Sequence, residues 1–269
     1  MIKTAVLQMT STADINANIA AFKTMVNEAV NNGATLITTP ENSDIMGVSA
    51  SEKIALLKDH NHQSPLVNVA KDLAQRHQVS ILLGSVAAYA DEKKIYNRSY
   101  FLGPNGDIMA QYDKIHLFDV VLPSGETRKE SDMVAAGHDH RLVKTAIANY
   151  GMSICYDVRF PYLYRTLAQS GAQILFIPAA FTMFTGELHW EVLLRARAIE
   201  NGAFVIAPAQ CGYHGGDRHT YGHSMIIDPW GKIITEAKDS PTILYADIDI
   251  NEVAKARAAI PSLKHEGLP

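Results

Sequence analysis

Strand-like and helix-like patterns alternate along the whole chain, and that alternation constrains its fold more than any other feature. Ile2–Gln8 reads as a buried strand, and Ser11, Thr12 and Asp14 then offer caps for a helix over Ile15–Asn31 that stops at Gly33. Residues 35–39 read as the next strand, 66–77 as a helix and 79–88 as a strand. Residues 96–102 and 108–112 form a hairpin pair, with turns at Asp91–Lys94 and Pro104–Asp107. Short strands are expected at 144–148 and 152–155 around a turn at Asn149-Tyr150-Gly151. The second half continues with a helix after Pro161, a strand at 173–177, a helix at 189–201 and a strand at 203–207. A hairpin at 224–228 and 232–236 turns on Pro229-Trp230-Gly231, and a strand at 243–248 follows. No Pro/Ser-rich linker interrupts the series, so one α/β domain over residues 1–269 is expected, its sheets covered by helices on their outer faces. The two halves share an order of elements without a sequence repeat.

With 47% hydrophobic residues the chain can bury one sizeable core. A net charge of −4 and the lack of any dense Lys/Arg run argue against nucleic acid and anionic membrane as partners. No apolar stretch approaches the roughly 20 residues that span a bilayer. The N-terminal run lacks the longer hydrophobic region and cleavage site of a secretory signal. Two cysteines, Cys155 and Cys211, do not make a disulfide framework, so a reducing cytoplasm is the expected location.

Three reactive residues lie where strand patterns run out. Glu41 follows Thr38-Thr39-Pro40, Lys114 follows the strand at 108–112, and Cys155 closes Met152-Ser153-Ile154. Strand ends open onto crevices in α/β sheets, where ligands bind. Taken singly each has a plainer reading: a core cysteine, a turn glutamate, a solvated lysine.

Taken together they resemble the nitrilase superfamily of carbon–nitrogen hydrolases over nearly the whole length. Three signature segments occur in order: Pro40-Glu41-Asn42, then Tyr112-Asp113-Lys114-Ile115-His116-Leu117-Phe118-Asp119, then Gly151-Met152-Ser153-Ile154-Cys155-Tyr156-Asp157-Val158-Arg159-Phe160-Pro161. The resemblance implies a four-layer α-β-β-α sandwich, and protomers paired about a two-fold axis as homodimers or larger homo-oligomers. It also implies a catalytic set of Glu41, Lys114 and Cys155. Apolar residues of the helices after Pro161 and from His189 (Tyr162, Leu163, Tyr164, Leu167, Trp190, Leu193, Leu194) are expected to exceed one internal face and supply that pairing.

The chemistry asks for these residue types. An amide is a poor electrophile, and its hydrolysis is commonly split through a covalent acyl-enzyme. A free thiol is only slightly ionised at neutral pH, so a carboxylate must take its proton, the role the resemblance gives to Glu41. Lys114 would favour the thiolate and stabilise the oxyanion, with the Tyr156 backbone N–H as second donor. Glu130 matches a second glutamate that positions Lys114. Phe181 and Thr185 match positions of the acyl pocket; Arg159, four residues after Cys155, can reach back to that crevice and hold a substrate carboxylate, the alternative being a pairing with Asp157 or Glu200 that braces the loop. One carboxylate, one cation and one thiol suffice, so neither metal nor cofactor is expected.

Other motifs were set aside. Gly222-His223-Ser224-Met225-Ile226 lacks the final glycine of a serine-hydrolase elbow. His138, Asp139 and His140, and His214, His219 and His223, lack the spacing of metal ligands and read as solvated or hydrogen-bonded. Cys211 reads as a packing residue. The segment from Phe181 to Glu200, with Ala209-Gln210-Cys211-Gly212 and Asp228-Pro229-Trp230-Gly231, is similar to the branch holding deaminated glutathione amidases and omega-amidases. It is nearer the former, which cleave a 2-oxoglutaryl amide of Cys-Gly. The alternatives are an omega-amidase acting on 2-oxoglutaramate or 2-oxosuccinamate, a carbamoyl-amine hydrolase, a nitrilase, or a catalytically idle interaction protein. Residues 121–129 and 212–220 fit no pattern, as expected of specificity loops.

Overall fold

The computed structural model describes residues 1–123, 125 and 127–265. Ser124 and Glu126, within the loop at 121–129, lie outside the described residues, as do residues 266–269.

Two six-stranded sheets carry the same internal plan. The first runs Thr242–Ile248, Ile2–Gln8, Leu36–Thr38, Ser80–Tyr89, Ile95–Leu102, Ile108–Asp113. The second runs Arg141–Lys144, Asn149–Met152, Ile174–Phe176, Phe204–Ala207, Met225–Ile227, Ile233–Glu236. In each, three adjacent parallel strands are flanked by one antiparallel strand on one side and two on the other. The likeness of the two halves is therefore one of topology, written in different side chains.

Period-two alternation sorts the first sheet's residues between two apolar layers. Ala5, Leu7, Ile37, Ile81 and Leu83 face helices α1 (Ile15–Asn31) and, after α2 (Ala50–Asp59), α3 (Pro65–His77), through Phe22, Val26, Leu66, Ala70 and Leu73. Val6, Leu36, Leu82 and Phe101 face the second sheet. Phe101 meets Tyr150 and Phe176 there, with ring centroids 5.0 and 6.2 Å apart. The second sheet's far face is covered by α4 (Pro161–Gln169) and α5 (Met183–Asn201), which bury Leu163, Tyr164, Leu167, Trp190 and Leu194; α6 (Asn251–Ala259) and a 3₁₀ turn at Ser262–Lys264 follow the last strand. The result is the expected four-layer α-β-β-α sandwich in a single α/β domain.

Several expectations shift. The hairpin expected at 144–148 and 152–155 lies earlier: its strands are Arg141–Lys144 and Asn149–Met152, and Thr145 closes the turn by accepting from the N–H groups of Ile147 and Ala148. Gly151, read as a turn residue, is instead within a strand against Leu167 and Leu175. Cys155 consequently opens a short 3₁₀ helix, Cys155–Arg159. Helix α5 begins six residues before the expected His189, at Met183. Gly186 lies within this helix, where a Cβ would come within 2.3 Å of the Tyr221 ring. Helix α2 was not anticipated, although Ser49 and Glu52 form its capping box. Most residues expected to drive pairing are internal: Leu163, Tyr164, Leu167, Trp190 and Leu194 are buried in the chain's own core. The apolar residues α4 and α5 do expose are Tyr162, Phe184, Leu188, Val192 and Ile199.

Candidate active site

Glu41 is carried by a loop lashed to the strand Ser80–Tyr89. The Thr39 N–H donates to Leu82 O at 3.0 Å, the Ser85 N–H to Pro40 O at 3.2 Å, and the Ser43 N–H to Ser85 O at 2.9 Å. Gly84 makes this approach feasible, because a Cβ there would stand 1.9 Å from Thr39 O and 2.6 Å from Pro40 O. Gln210 braces the loop from the second half. Its Nε2 donates to Glu41 O at 3.0 Å and to Ser11 Oγ at 2.7 Å. Lys114 follows the strand Ile108–Asp113, its N–H held by Asn97 O at 3.0 Å. Cys155 donates its N–H to Pro178 O at 2.8 Å and adopts φ +49°. Left-handed backbone is strained for a cysteine and marks a residue held in place by its surroundings.

These three points converge. The Lys114 ammonium donates to Glu41 Oε1 at 2.8 Å and to Glu130 Oε1 and Oε2 at 3.0 and 2.8 Å. Asn97 Nδ2 donates to Glu41 Oε1 at 2.8 Å and to Glu130 Oε1 at 3.2 Å, and the Ala180 N–H donates to Glu41 Oε2 at 2.9 Å. Glu130 also accepts from the Phe118 N–H at 2.7 Å. As the second residue of its 3₁₀ helix, Tyr156 presents an N–H from the first turn, where donors have no intrahelical partner.

Charge follows from this packing. Burial pushes the Glu41 carboxyl up, but the Lys114 charge and the hydrogen bonds outweigh it, so Glu41 stays below the ordinary carboxylate range. Burial opposes the charge on Lys114, and Glu130, Glu41 and Cys155 reverse that, holding it well above the ordinary lysine value. The thiol stays protonated, although Lys114 favours the thiolate as expected. Burial and the Glu41 carboxylate raise Cys155 above the ordinary thiol value, and Lys114 only partly offsets them. The resting arrangement is an ionised glutamate beside a protonated cysteine.

A cavity of about 470 Å³ opens on this cluster. It is lined by Glu41, Lys114, Cys155, Glu130, Tyr156, Phe181 and Thr185, all expected from sequence. Arg159 is not among the lining residues: its guanidinium lies over the Tyr156 and Phe181 rings, 5.8 and 5.4 Å from their centroids, with Nη1 3.3 Å from His189 Nδ1. Nor does it brace the loop through Asp157 or Glu200. Glu200 pairs with Arg197 at 2.7 Å. Asp157, fully buried, accepts from Tyr112 OH at 2.7 Å, the His116 N–H at 3.1 Å and the Ile154 N–H at 2.8 Å, tying the Lys114 segment to the Cys155 turn. Asp157, Asn97 and Gln210 were missed as site residues because their roles rest on partners distant in sequence. The basic side chains Lys53, Arg128, Lys129 and Arg218, which also line the cavity, were missed as well; the capping box ahead of Lys53 was the one legible signal.

Of the histidines read as hydrogen-bonded or solvated, His214 is bonded to Ser11 O and Thr220 Oγ1, and His223 to Glu236. Cys211 is fully buried against Thr10. Among the described residues no helix is long and apolar enough to cross a membrane.

Paired sheets between helices, with a carboxylate, an ammonium and a thiol meeting at the strand ends, define a hydrolase of the nitrilase fold. The sequence pattern of the carbon-nitrogen hydrolase family matches residues 3–258, and the chain belongs to that family. It is 44% identical to the deaminated glutathione amidase of Synechocystis sp. over 270 residues, covering 97% of this chain and 96% of that one. It is 38% identical to the deaminated glutathione amidase of Mus musculus, covering 97% and 82%. Among solved structures, the Caenorhabditis elegans NitFhit protein superposes with a TM-score of 0.92 at 36% identity, covering 98% of this chain and 65% of that one. Saccharomyces cerevisiae Nit3, described as a member of branch 10 of the nitrilase superfamily, superposes with a TM-score of 0.85 at 29% identity, covering 97% and 94%. The protein is a carbon–nitrogen hydrolase.

Proposed function

We propose that this chain is a cysteine-nucleophile amidase acting on small carboxylate-bearing amides, and that its substrate is deaminated glutathione, the 2-oxoglutaryl amide of Cys-Gly. The observation that carries the reading is the Lys114 ammonium held by both Glu41 and Glu130 in the cavity that Cys155 lines. Glu41, ionised at rest, takes the thiol proton as Cys155 attacks the amide carbonyl. Lys114 and the Tyr156 N–H stabilise the oxyanion. Glu41 returns the proton to the departing amine, leaving a thioester, then activates water to release the acid and restore the thiol. Glu130 and Asn97 position Lys114 and Glu41. Phe181, Thr185 and Arg159 serve the acyl end. Two relatives with the deaminated glutathione amidase name support the substrate, as does an excess of basic over acidic side chains around the cavity.

The exposed apolar residues Tyr162, Phe184, Leu188, Val192 and Ile199 on adjoining helices support a homodimer, and two unpaired cysteines suit a cytoplasmic location. An amide panel tests the reading. 2-Oxoglutaryl-Cys-Gly should be cleaved with a higher kcat/KM than 2-oxoglutaramate or hexanamide, and Cys155→Ala should abolish all three reactions. Preference for 2-oxoglutaramate would make the enzyme an omega-amidase. Undiminished turnover by the alanine variant would end the thiol mechanism.

A further inference from the structure

The cavity wall holds more positive charge than the chemistry uses. Lys53, Lys114, Arg128, Lys129 and Arg218 line it against Glu41, Glu130 and Asp217. Lys114 is engaged by Glu41 and Glu130, Arg128 by Asp217 at 3.0 Å and Lys129 by Asp132 at 3.2 Å. Among the described residues, Lys53 and Arg218 make no direct ion pair, although Asp44 acts on Lys53 and Asp217 on Arg218 from further off. Lys53, on α2, is 7% exposed, and its ammonium bonds to one protein acceptor among the described residues, Asn42 Oδ1 at 3.2 Å. No described carboxylate comes within ion-pairing distance of it. A lysine carries three donors, and burying its charge without a counter-ion is costly. Arg218 donates to Ala180 O at 2.9 Å and stands close enough to Lys53 for the two like charges to repel.

Their tethers say which end of a substrate they face. Asn42 is the residue after Glu41, and Ala180, which bonds Arg218 through its carbonyl, donates its N–H to Glu41 Oε2. Both cations are thus fixed to the supports of the group that protonates the leaving amine, whereas Arg159 is stacked over the Tyr156 and Phe181 rings.

We propose that Lys53, with Arg218 beside it, is the specificity determinant that receives a carboxylate carried by the leaving amine. This rests on the amidase reading above and extends it to the half of the substrate that departs. A carboxylate placed between the two cations relieves their repulsion and gives Lys53 the direct ion pair that Asp44, Glu41 and Glu130, acting from further off, do not make. Amides whose leaving amine ends in an acid are then preferred over the same amides with that acid blocked.

The test compares 2-oxoglutaryl-Cys-Gly with its C-terminal glycinamide, following the released primary amine, in wild type, Lys53→Gln and Arg218→Gln. Glutamine can still donate to Asn42, so the brace on that residue survives. Wild type should prefer the free acid by about 10- to 100-fold in kcat/KM, mostly through KM, and Lys53→Gln should erase most of that preference. Arg218→Gln should erase a smaller part. If wild type cleaves both substrates and Lys53→Gln slows both by the same factor, Lys53 is a brace and the proposal falls while the amidase reading stands. Wild type that cleaves 2-oxoglutaramate and neither longer amide overturns this proposal and the deaminated glutathione assignment together.

Discussion

The Lys114 ammonium and the Glu41 carboxylate form a 2.8 Å ion pair in which the two side chains are only 2% and 4% exposed. A pair this dry holds only if further partners offset its desolvation. Glu130 and Asn97 do so, and the cost is a cluster with two carboxylates around one cation. Replacing Lys114 by Met removes that cation and leaves Glu41 and Glu130 facing each other. Broken buried pairs cost about 3–5 kcal/mol, so thermal melting should show a clear loss of Tm together with at least about a thousandfold fall in kcat. Wild-type stability in this variant would show that the two carboxylates do not depend on the lysine charge.

Glu130→Gln is the milder change. The amide oxygen still accepts from Lys114, and Glu41 remains as a carboxylate partner of the lysine. The fold should survive with kcat reduced about 10- to 100-fold, because the ammonium loses one of the anchors that aim it. A kcat within twofold of wild type would remove Glu130 from the machinery.

Activity should change little with pH between 4.5 and 9.0, the ordinary values of a glutamate and a cysteine. Glu41 is depressed, so it keeps its base form until the pH falls below the ordinary carboxylate value, and activity is lost only there. Cys155 is raised, so the thiol persists past the ordinary thiol value and no thiolate builds up on the way. The limbs belong to the coupled pair. A kcat/KM profile that climbs between about pH 7 and 9 would show a separately ionising thiol and contradict this arrangement.

Glu41, Lys114 and Cys155 each sit in a local segment whose residue types are distinctive, and strand ends are legible from periodicity. The charge state was not legible. Lys114 next to a thiol argues for thiolate until burial and Glu41 are weighed, and neither is visible in a string. Gln210 and Asn97 act through partners 169 and 56 residues away, so no local pattern reveals them. Gly84 and Gly186 are sites of close approach by Thr39 O and the Tyr221 ring, partners far away in sequence.

Gly84→Ala puts that close approach to a test. The new methyl meets backbone oxygen at 1.9 Å, so either the strand or the Thr39–Pro40 segment must shift. Overpacking of this kind costs about 1–3 kcal/mol. The displaced segment carries Glu41, so kcat should fall by more than about 100-fold, since misplacement of a catalytic group by about 1 Å is enough for that. A variant with native Tm and activity would mean the loop has slack that the hydrogen bonds from Ser85 and to Leu82 do not suggest.

Arg159→Ala addresses the acyl end. The guanidinium is half-buried over two aromatic faces, and burial lowers its pKa, with no described carboxylate beside it to offset the loss of water. The rings hold the guanidinium in place, and the donors not turned to His189 suit a planar partner such as the carboxylate of a 2-oxo acid. Losing a charge-assisted contact of that kind should cut kcat/KM for 2-oxo acid amides by about 30- to 1000-fold. Hexanamide, which has no carboxylate, should lose less than about threefold. The loss should be the same for 2-oxoglutaryl-Cys-Gly and its glycinamide, since both keep the acyl carboxylate, and this separates Arg159 from Lys53. Equal losses on hexanamide and the 2-oxo acid amides would show that Arg159 supports the Tyr156 and Phe181 rings and does not contact substrate.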